Sequence, residues 1–420
     1  MIKRAIFHSI EKHLAEPEMT VLIGPRQVGK TYLMQLLEDH LKVRGEKTVF
    51  LNLDVEDNKQ FFVSQTALIN YIRLQVGSSR AFVFIDEIQR KEDAGLFLKG
   101  IYDMNLPYKF IISGSGSLDL KAKIKESMAG RKQIFYIDPV SFEEFVHYKT
   151  AYKYEDKLPD FFSIESTRTQ HLLEEYMMFG GYPRIVLSET LEKKKSEMDE
   201  IYRSYINRDI TDLLKVEKPD AFTNLLKVIA SQIGSLVNVT ELSRTIGISD
   251  KTIQHYLWYL EETFIIKKVT PYYRNVRSEI TKTPLYYFYD TGVRNYLLGL
   301  FGVPLIPPTL GGHLFENVIF NMLRHHIHFA STRIHFWRTT DNAEVDFVIN
   351  AGLEVIPIEA KYTKLQAALT TRSFKSFLDK YKPKRGYIIH LGKKLEDTFQ
   401  NTKISFLPFY ESVNITKDLQ

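Results

Sequence analysis

Gly24-Pro25-Arg26-Gln27-Val28-Gly29-Lys30-Thr31 decides the reading of this chain. It follows the apolar run Val21-Leu22-Ile23 and precedes the helical pattern Tyr32 to Leu41, so G-x-x-x-x-G-K-[ST] is filled at every fixed position between a strand and a helix. Glycines let the backbone wrap closely with its N–H groups inward, and the following helix N-terminus adds partial positive charge. All eight residues are therefore assigned to a phosphate-binding loop. Lys30 is expected on the β- and γ-phosphates and Thr31 on Mg²⁺.

The partner feature is Ala81-Phe82-Val83-Phe84-Ile85-Asp86-Glu87, an apolar strand ending in two carboxylates. Asp86 is expected to hold Mg²⁺ through its water shell, and Glu87 to polarise the water that attacks the γ-phosphate. Phe110-Ile111-Ile112-Ser113-Gly114-Ser115 is a further strand ending in small polar residues, where the Ser113 hydroxyl would sense the γ-phosphate or that water.

These segments resemble the AAA+ and related P-loop ATPases. The whole chain looks like a prokaryotic family that fuses such an ATPase to a C-terminal domain of unknown function. The other pieces carrying the resemblance are Gly130-Arg131 before Pro139-Val140-Ser141-Phe142-Glu143-Glu144-Phe145, and Phe179-Gly180-Gly181-Tyr182-Pro183. The resemblance implies ATP as substrate and a homo-oligomeric ring, a hexamer first, in which a neighbour's arginine reaches the γ-phosphate. Arg131 is the first candidate and Arg208 the second.

Length agrees with several units, since 420 residues at roughly 150 per domain suggest about three. Alternating short strands and helices fix an α/β P-loop domain over 1–140. A mostly helical lid and connector is expected over 141–215, a winged helix-turn-helix over 216–300 and a second α/β domain over 301–420, after the Pro304 to Pro308 linker signal. The absence of Cys excludes disulfide scaffolds, thiolate zinc sites and Cys nucleophiles, and fits a reducing, cytoplasmic setting. The N-terminus lacks the apolar core of a secretory signal, and no run of about 18 apolar residues suggests a membrane span. A net charge of +5 permits a polyanionic partner without demanding one.

In the middle unit, Val239 to Ile246 and Asp250 to Leu260 read as two short amphipathic helices, with Gly247 supplying a positive-φ turn and Ser249 an N-cap. Ile253, Leu257 and Leu260 face inward, which leaves Lys251, Thr252 and Gln254 to touch a groove. Lys267, Lys268, Arg274, Arg277 and Lys282, interleaved with Tyr272 and Tyr273, would add contacts to phosphates and bases. Trp258 and Trp337 read as core. DNA is the expected partner.

Near the C-terminus, Glu344-Val345-Asp346-Phe347-Val348-Ile349, the turn Asn350-Ala351-Gly352 and Glu354-Val355-Ile356-Pro357-Ile358-Glu359-Ala360-Lys361 read as a hairpin. Alternation puts Glu359 and Lys361 on one face with Asp346 across from them. The carboxylates would bind Mg²⁺ or Mn²⁺, Lys361 would orient a water, and Glu316 would reach the same metal from an upstream helix. This set looks like the PD-(D/E)XK nuclease superfamily, a restriction-endonuclease-like fold, although Val345 stands where the name-giving pattern has Pro. The His-containing stretch Arg324 to His328 reads as a solvated helix end. The expected whole is an ATP-driven motor on duplex or branched DNA with a nuclease-like C-terminal domain. A translocase that only grips DNA, and a nucleotide-gated protein switch, stay open as alternatives.

Overall fold

The first sheet has five parallel strands in the order β2-β3-β4-β1-β5: β1 (Met19–Gly24), β2 (Thr48–Asn52), β3 (Ala81–Asp86), β4 (Tyr108–Ser115) and β5 (Lys132–Tyr136). The computed structural model describes all residues except 116–127, 205–217, 276–278, 280–281, 304–307, 326, 328–331, 353, 418 and 420. Both sheet faces are covered, which is why the strands are near-continuous apolar runs. Leu22, Phe82, Phe84 and Ile111 pack toward α2 (Lys30–Val43), through its Leu33, Met34, Leu37 and Leu41. Val21, Ile23, Val83, Ile85 and Ile112 pack toward α3 (Gln65–Val76) and α4 (Ala94–Asp103) on the other face. A short helix, α1 (Ile6–His13), precedes the sheet.

Among the described residues five helices follow: α5 (Phe142–Lys149), α6 (Leu158–Ile164), α7 (Ser166–Phe179), α8 (Pro183–Leu187) and α9 (Leu191–Ile201). A capping box sets the start of α5, with the Ser141 hydroxyl accepting from Glu144 N and the Glu144 carboxylate accepting from Ser141 N. The break between α7 and α8 has a long-range cause. Asp290 is buried there and accepts from the amides of Gly181 at 2.6 Å and Val293 at 3.0 Å. Gly180 adopts φ +74°, and a Cβ there would lie 2.2 Å from the Asp290 carboxylate. The Gly-Gly pair is thus the seat of an acid more than a hundred residues away.

The middle unit consists of α10 (Pro219–Ser231), α11 (Val239–Ile246), α12 (Asp250–Glu262), a hairpin of β6 (Ile266–Val269) and β7 (Leu285–Phe288), and α13 (Thr291–Leu297). Gly247 takes φ +77° after α11, and the Ser249 hydroxyl accepts from Thr252 N to start α12. Two aromatic readings need correction. Trp258 is 47% exposed, because Ile253, Tyr256, Leu257 and Leu260 already fill the inward stripe of α12. Tyr272 is buried beside Trp337, Phe377 and Tyr381, so it offers no stacking platform. Its amide donates to Phe336 O at 2.6 Å, placing this stretch along the edge of the second sheet.

That second sheet has six strands in the order β12-β13-β11-β10-β9-β8: β8 (Thr332–Arg338), β9 (Glu344–Ala351), β10 (Glu354–Lys361), β11 (Arg385–His390), β12 (Leu395–Phe399) and β13 (Thr402–Pro408). β8, β9 and β10 are antiparallel neighbours, whereas β10, β11 and β13 run parallel. One face packs on α14 (Pro308–His325), and α15 (Arg372–Tyr381) covers the other through Phe374, Phe377 and Leu378. The short α16 (Ser412–Lys417) packs back on α14. Of the linker signal Pro304 to Pro308, residues 304–307 lie outside the described residues and Pro308 opens α14, and one apolar cluster runs from Leu22 through Leu225 and Phe315 to Phe409, so the units share a core. Nor is the end of α14 a solvated tail. Arg324 pairs with Asp138 at 3.0 Å and is mostly buried. No helix among the described residues is long and apolar enough to cross a membrane.

Candidate nucleotide site and candidate acid site

The loop assigned to phosphate lies where β1 ends and α2 begins, at the C-terminal edge of the first sheet. Gln27 at φ 61° and Gly29 at φ 91° bend it back on itself, and Gly29 is the left-handed N-cap of α2. A residue without Cβ suits that second position. Gly24 is needed for a different reason, since a Cβ there would sit 2.1 Å from Ile137 O. Pro25 and Val28 are buried, and Arg26 is partly exposed. Gln27 Nε2 donates to Ser204 Oγ at 2.9 Å, joining the loop to the residues after α9.

Lys30 is buried and folded onto its own loop, donating to Gly24 O at 3.0 Å and Pro25 O at 2.6 Å. Burial lowers its pKa to about 8, against the pull of the nearby Glu87 and Asp86 carboxylates. The phosphates need the ammonium form. MgATP affinity should therefore fall about tenfold per pH unit above about 8, with a proton taken up on binding, and calorimetry in buffers of different ionisation enthalpy would read both.

Asp86, at the end of β3, is fully buried among donors. Its Oδ2 accepts from Thr31 Oγ1 at 2.7 Å and from Asn52 Nδ2 at 3.3 Å, and its Oδ1 accepts from Ser113 Oγ. Register explains the set, because Asn52 pairs with Asp86 across β2 and β3 while Ser113 lies on neighbouring β4. Asn52 had no motif to announce it. Thr31 and Asp86 together offer a hydroxyl and a carboxylate oxygen side by side, a donor pair that suits Mg²⁺. Glu87 adopts φ 57°, its amide donates to Ser113 Oγ at 3.4 Å, and its carboxylate accepts from Gln89 Nε2. A non-glycine residue in the left-handed region is a strained position of the kind found at working sites.

Arg131 lies apart from this set. It precedes β5 at the opposite edge of the sheet, roughly 17 Å away at about 3.3 Å per residue, and pairs with Asp103 at 2.8 Å. It cannot reach the loop of its own chain. Arg208 lies outside the described residues.

On α12, Lys251 and Gln254 are exposed, and Thr252 is half-buried against Ser249. Lys267 is tied to Glu261 at 2.9 Å, Lys268 is exposed, and Arg274 leans over the Tyr381 ring at 5.6 Å. Lys282 is exposed, and Arg277 lies outside the described residues.

In the second sheet, Lys361 Nζ pairs with Glu359 at 2.6 Å, and Thr371 Oγ1 donates to Glu359 at 3.0 Å from the start of α15. Burial works against the Lys361 charge, and Glu359 more than offsets it, so its pKa is raised. Asp346 takes another route. Between His335 and Trp337 the β8–β9 register shifts, so Asp346 and Phe347 together oppose Phe336 in a bulge. Asp346 Oδ2 accepts from Ala360 N at 2.7 Å. Burial, then the Glu316 carboxylate, push its pKa well above the ordinary range. Glu316 in turn accepts from His313 at 3.4 Å. The four residues thus share one neighbourhood, but among the described residues no three acids or histidines are close enough to cage an ion together.

Residues 170–303 match a family model described as a domain of unknown function (DUF8612), and residues 311–411 match another of the same description (DUF4143). An uncharacterized protein of Haemophilus influenzae is 24% identical over 90% of this chain and 90% of its own length. One from Mycobacterium tuberculosis is 25% identical over 91% of this chain and 79% of its own. Among solved structures, AMPPCP-bound DnaA from Aquifex aeolicus is 14% identical with a TM-score of 0.26, covering 61% of this chain and 86% of that one. Cdc6p from Pyrobaculum aerophilum is 12% identical with a TM-score of 0.29, covering 72% and 94%. A likeness this loose says nothing about activity or partners. Residues 16–146 match the family model described as an AAA domain, the part of the chain that carries the loop of Gly24 to Thr31 on its five-stranded parallel sheet.

Proposed function

We propose that the chain hydrolyses ATP at the Gly24–Thr31 loop and uses the cycle to act on DNA through its middle and C-terminal units. The observation that carries the reading is the convergence of Lys30, Thr31, Asp86 and Ser113 at one sheet edge, with Glu87 beside them. Loop amides and Lys30 bind and orient the triphosphate. Thr31 and Asp86 would hold Mg²⁺, which when bound neutralises phosphate charge. Glu87 takes the proton of the attacking water, and Ser113 keeps Asp86 and the Glu87 amide in register. Arg131 would serve only a neighbouring subunit, in a ring.

The three helices and hairpin of the middle unit support reading it as a winged helix, and the order α14-β8-β9-β10-α15-β11 supports reading the C-terminal unit as a PD-(D/E)XK core. Cleavage would need Glu316, Asp346 and Glu359 to draw together on a divalent cation, closer than the described residues place them, with Lys361 orienting the water. A gripping, non-cleaving domain is the second reading. It is favoured by the Ala360 amide already holding Asp346 and by the Lys361–Glu359 pair.

The deciding experiment incubates the full chain with duplex, forked and four-way DNA, ATP and Mg²⁺ or Mn²⁺, measuring phosphate release and fragment size together. DNA-stimulated turnover is expected. Asp346→Asn should abolish any cleavage, by about 10²-fold or more, and leave ATP turnover intact. Stimulated turnover without fragments selects the gripping reading, and turnover indifferent to every DNA removes the DNA role.

A further inference from the structure

Arg4 lies twenty residues before the loop and belongs to no motif, yet its side chain is only 8% exposed and all three guanidinium nitrogens are engaged. Nη1 donates to Val28 O at 3.1 Å, Nη2 to Asp138 O at 2.7 Å, and Nε to Glu144 Oε2 at 3.1 Å. Glu144 is fixed in turn by the capping box of α5 and by the Ala5 amide at 2.7 Å. The contact with Val28 matters most. A trans peptide is planar, with its C=O and N–H on opposite sides. A cation that holds the Val28 carbonyl from behind therefore turns the N–H of Gly29 the other way, toward the inside of the loop. The neighbouring backbone is the part most in need of such a hold, since Gln27 and Gly29 both have positive φ.

Asp138, the second anchor of Arg4, extends the connection. While its carbonyl accepts from Arg4, its carboxylate accepts from Arg324 Nη1 at 3.0 and 3.2 Å, and His325 stands at 3.8 Å. Arg324 is on α14, the helix that also carries Glu316. It lies 4.1 Å over the Tyr289 ring, and its Nε donates to Asn321, whose amide donates to Phe288 O and Tyr289 O. The C-terminal unit thus grips the residue on which the brace of the loop is seated.

We infer that Arg4 is a positioning residue for the triphosphate, setting the Val28–Gly29 peptide from behind, and that the Asp138–Arg324 pair makes nucleotide affinity depend on docking of the C-terminal unit. The inference rests on the reading of the loop as a nucleotide site. By linkage the dependence runs both ways, so bound nucleotide tightens the seating of α14. Lysine at position 4 would keep the charge but could not fork to three acceptors.

The test titrates a fluorescent ATP analogue with Mg²⁺ into the full-length wild type, Arg4→Lys, Arg324→Gln and Arg324→Lys, with inorganic pyrophosphate as competitor and a thermal melt for each. Arg4→Lys should weaken the analogue and pyrophosphate by the same factor, about tenfold, and raise the KM for ATP while kcat stays within about twofold. Arg324→Gln, which touches no part of the loop, should weaken both several-fold, and Arg324→Lys should recover part of the loss. A folded Arg4→Lys protein with wild-type affinity for both probes overturns the positioning role. Unchanged affinity in Arg324→Gln overturns the dependence on docking, and that variant decides the matter if Arg4→Lys does not fold. Wild-type protein that binds neither probe would overturn the reading of the loop itself, and this inference with it.

Discussion

Replacing Glu87 with Gln should cut ATP turnover by about 10²–10⁴-fold while MgATP affinity stays within about twofold of wild type. The substitution is isosteric, so the φ of 57° and the amide contact with Ser113 survive, while the ability to accept a proton and the negative charge are lost. Lys30 loses a favourable carboxylate neighbour in the same change, since Glu87 is the strongest charge supporting its ammonium form. Binding weakened at neutral pH as strongly as turnover would mean that Glu87 works through Lys30 and not on water. Steady-state kinetics and equilibrium binding on one preparation separate the two.

The second large effect is on stability. Gly180→Ala forces a Cβ onto a backbone at φ +74° and ψ −166°, a region that essentially only glycine adopts, at about 1–3 kcal/mol, and drives it against the Asp290 carboxylate, an overpacking of about 1–3 kcal/mol. The sum, about 2–6 kcal/mol, should lower the melting temperature by about 2–7 °C. Gly312→Ala is the control. No atom lies within 4 Å of a Cβ at that position in α14, so this change should be neutral or stabilising by up to about 1 kcal/mol. Equal melting curves for the two variants would show that Gly180 is not held against Asp290.

The same junction shows what the sequence can and cannot disclose. The break at Gly180-Gly181 is legible because two glycines interrupt a helical pattern, but the reason for it is an aspartate that reaches the site only through the tertiary fold. The loop and Asp86 are legible for the opposite reason: each is a local pattern whose backbone chemistry is fixed within a few residues. Asn52 and Arg4 contribute as much to the arrangement, one by strand register and the other through a main-chain carbonyl, and neither mechanism leaves a spacing to find. Trp258 was open to a better reading. The positions Ile253, Tyr256, Leu257 and Leu260 already complete a helix stripe, which leaves Trp258 outside it whatever the usual habit of tryptophan. The place of Asp346 across from Glu359 follows from alternation, since the β9–β10 register that pairs Phe347 with Ile358 leads to it, whereas the bulge opposite Phe336 depends on the pairing of β8 with β9.

Units that share a continuous core from Leu22 to Phe409 do not move as beads on a string. On the proposed function, a hydrolysis cycle in such a molecule would act by changing how the units are seated, and the contacts placed to feel it are those between the first sheet's domain and α14. A gripped triphosphate underlies every step of that cycle. Calorimetric titration of MgATP into the full-length protein and into Lys30→Ala tests the grip directly. One site per chain is expected in the wild type, with affinity reduced by about a hundredfold or more in the variant, the scale of a lost buried charge on phosphate. Equal affinity in the two proteins, or no binding to the wild type, would contradict it.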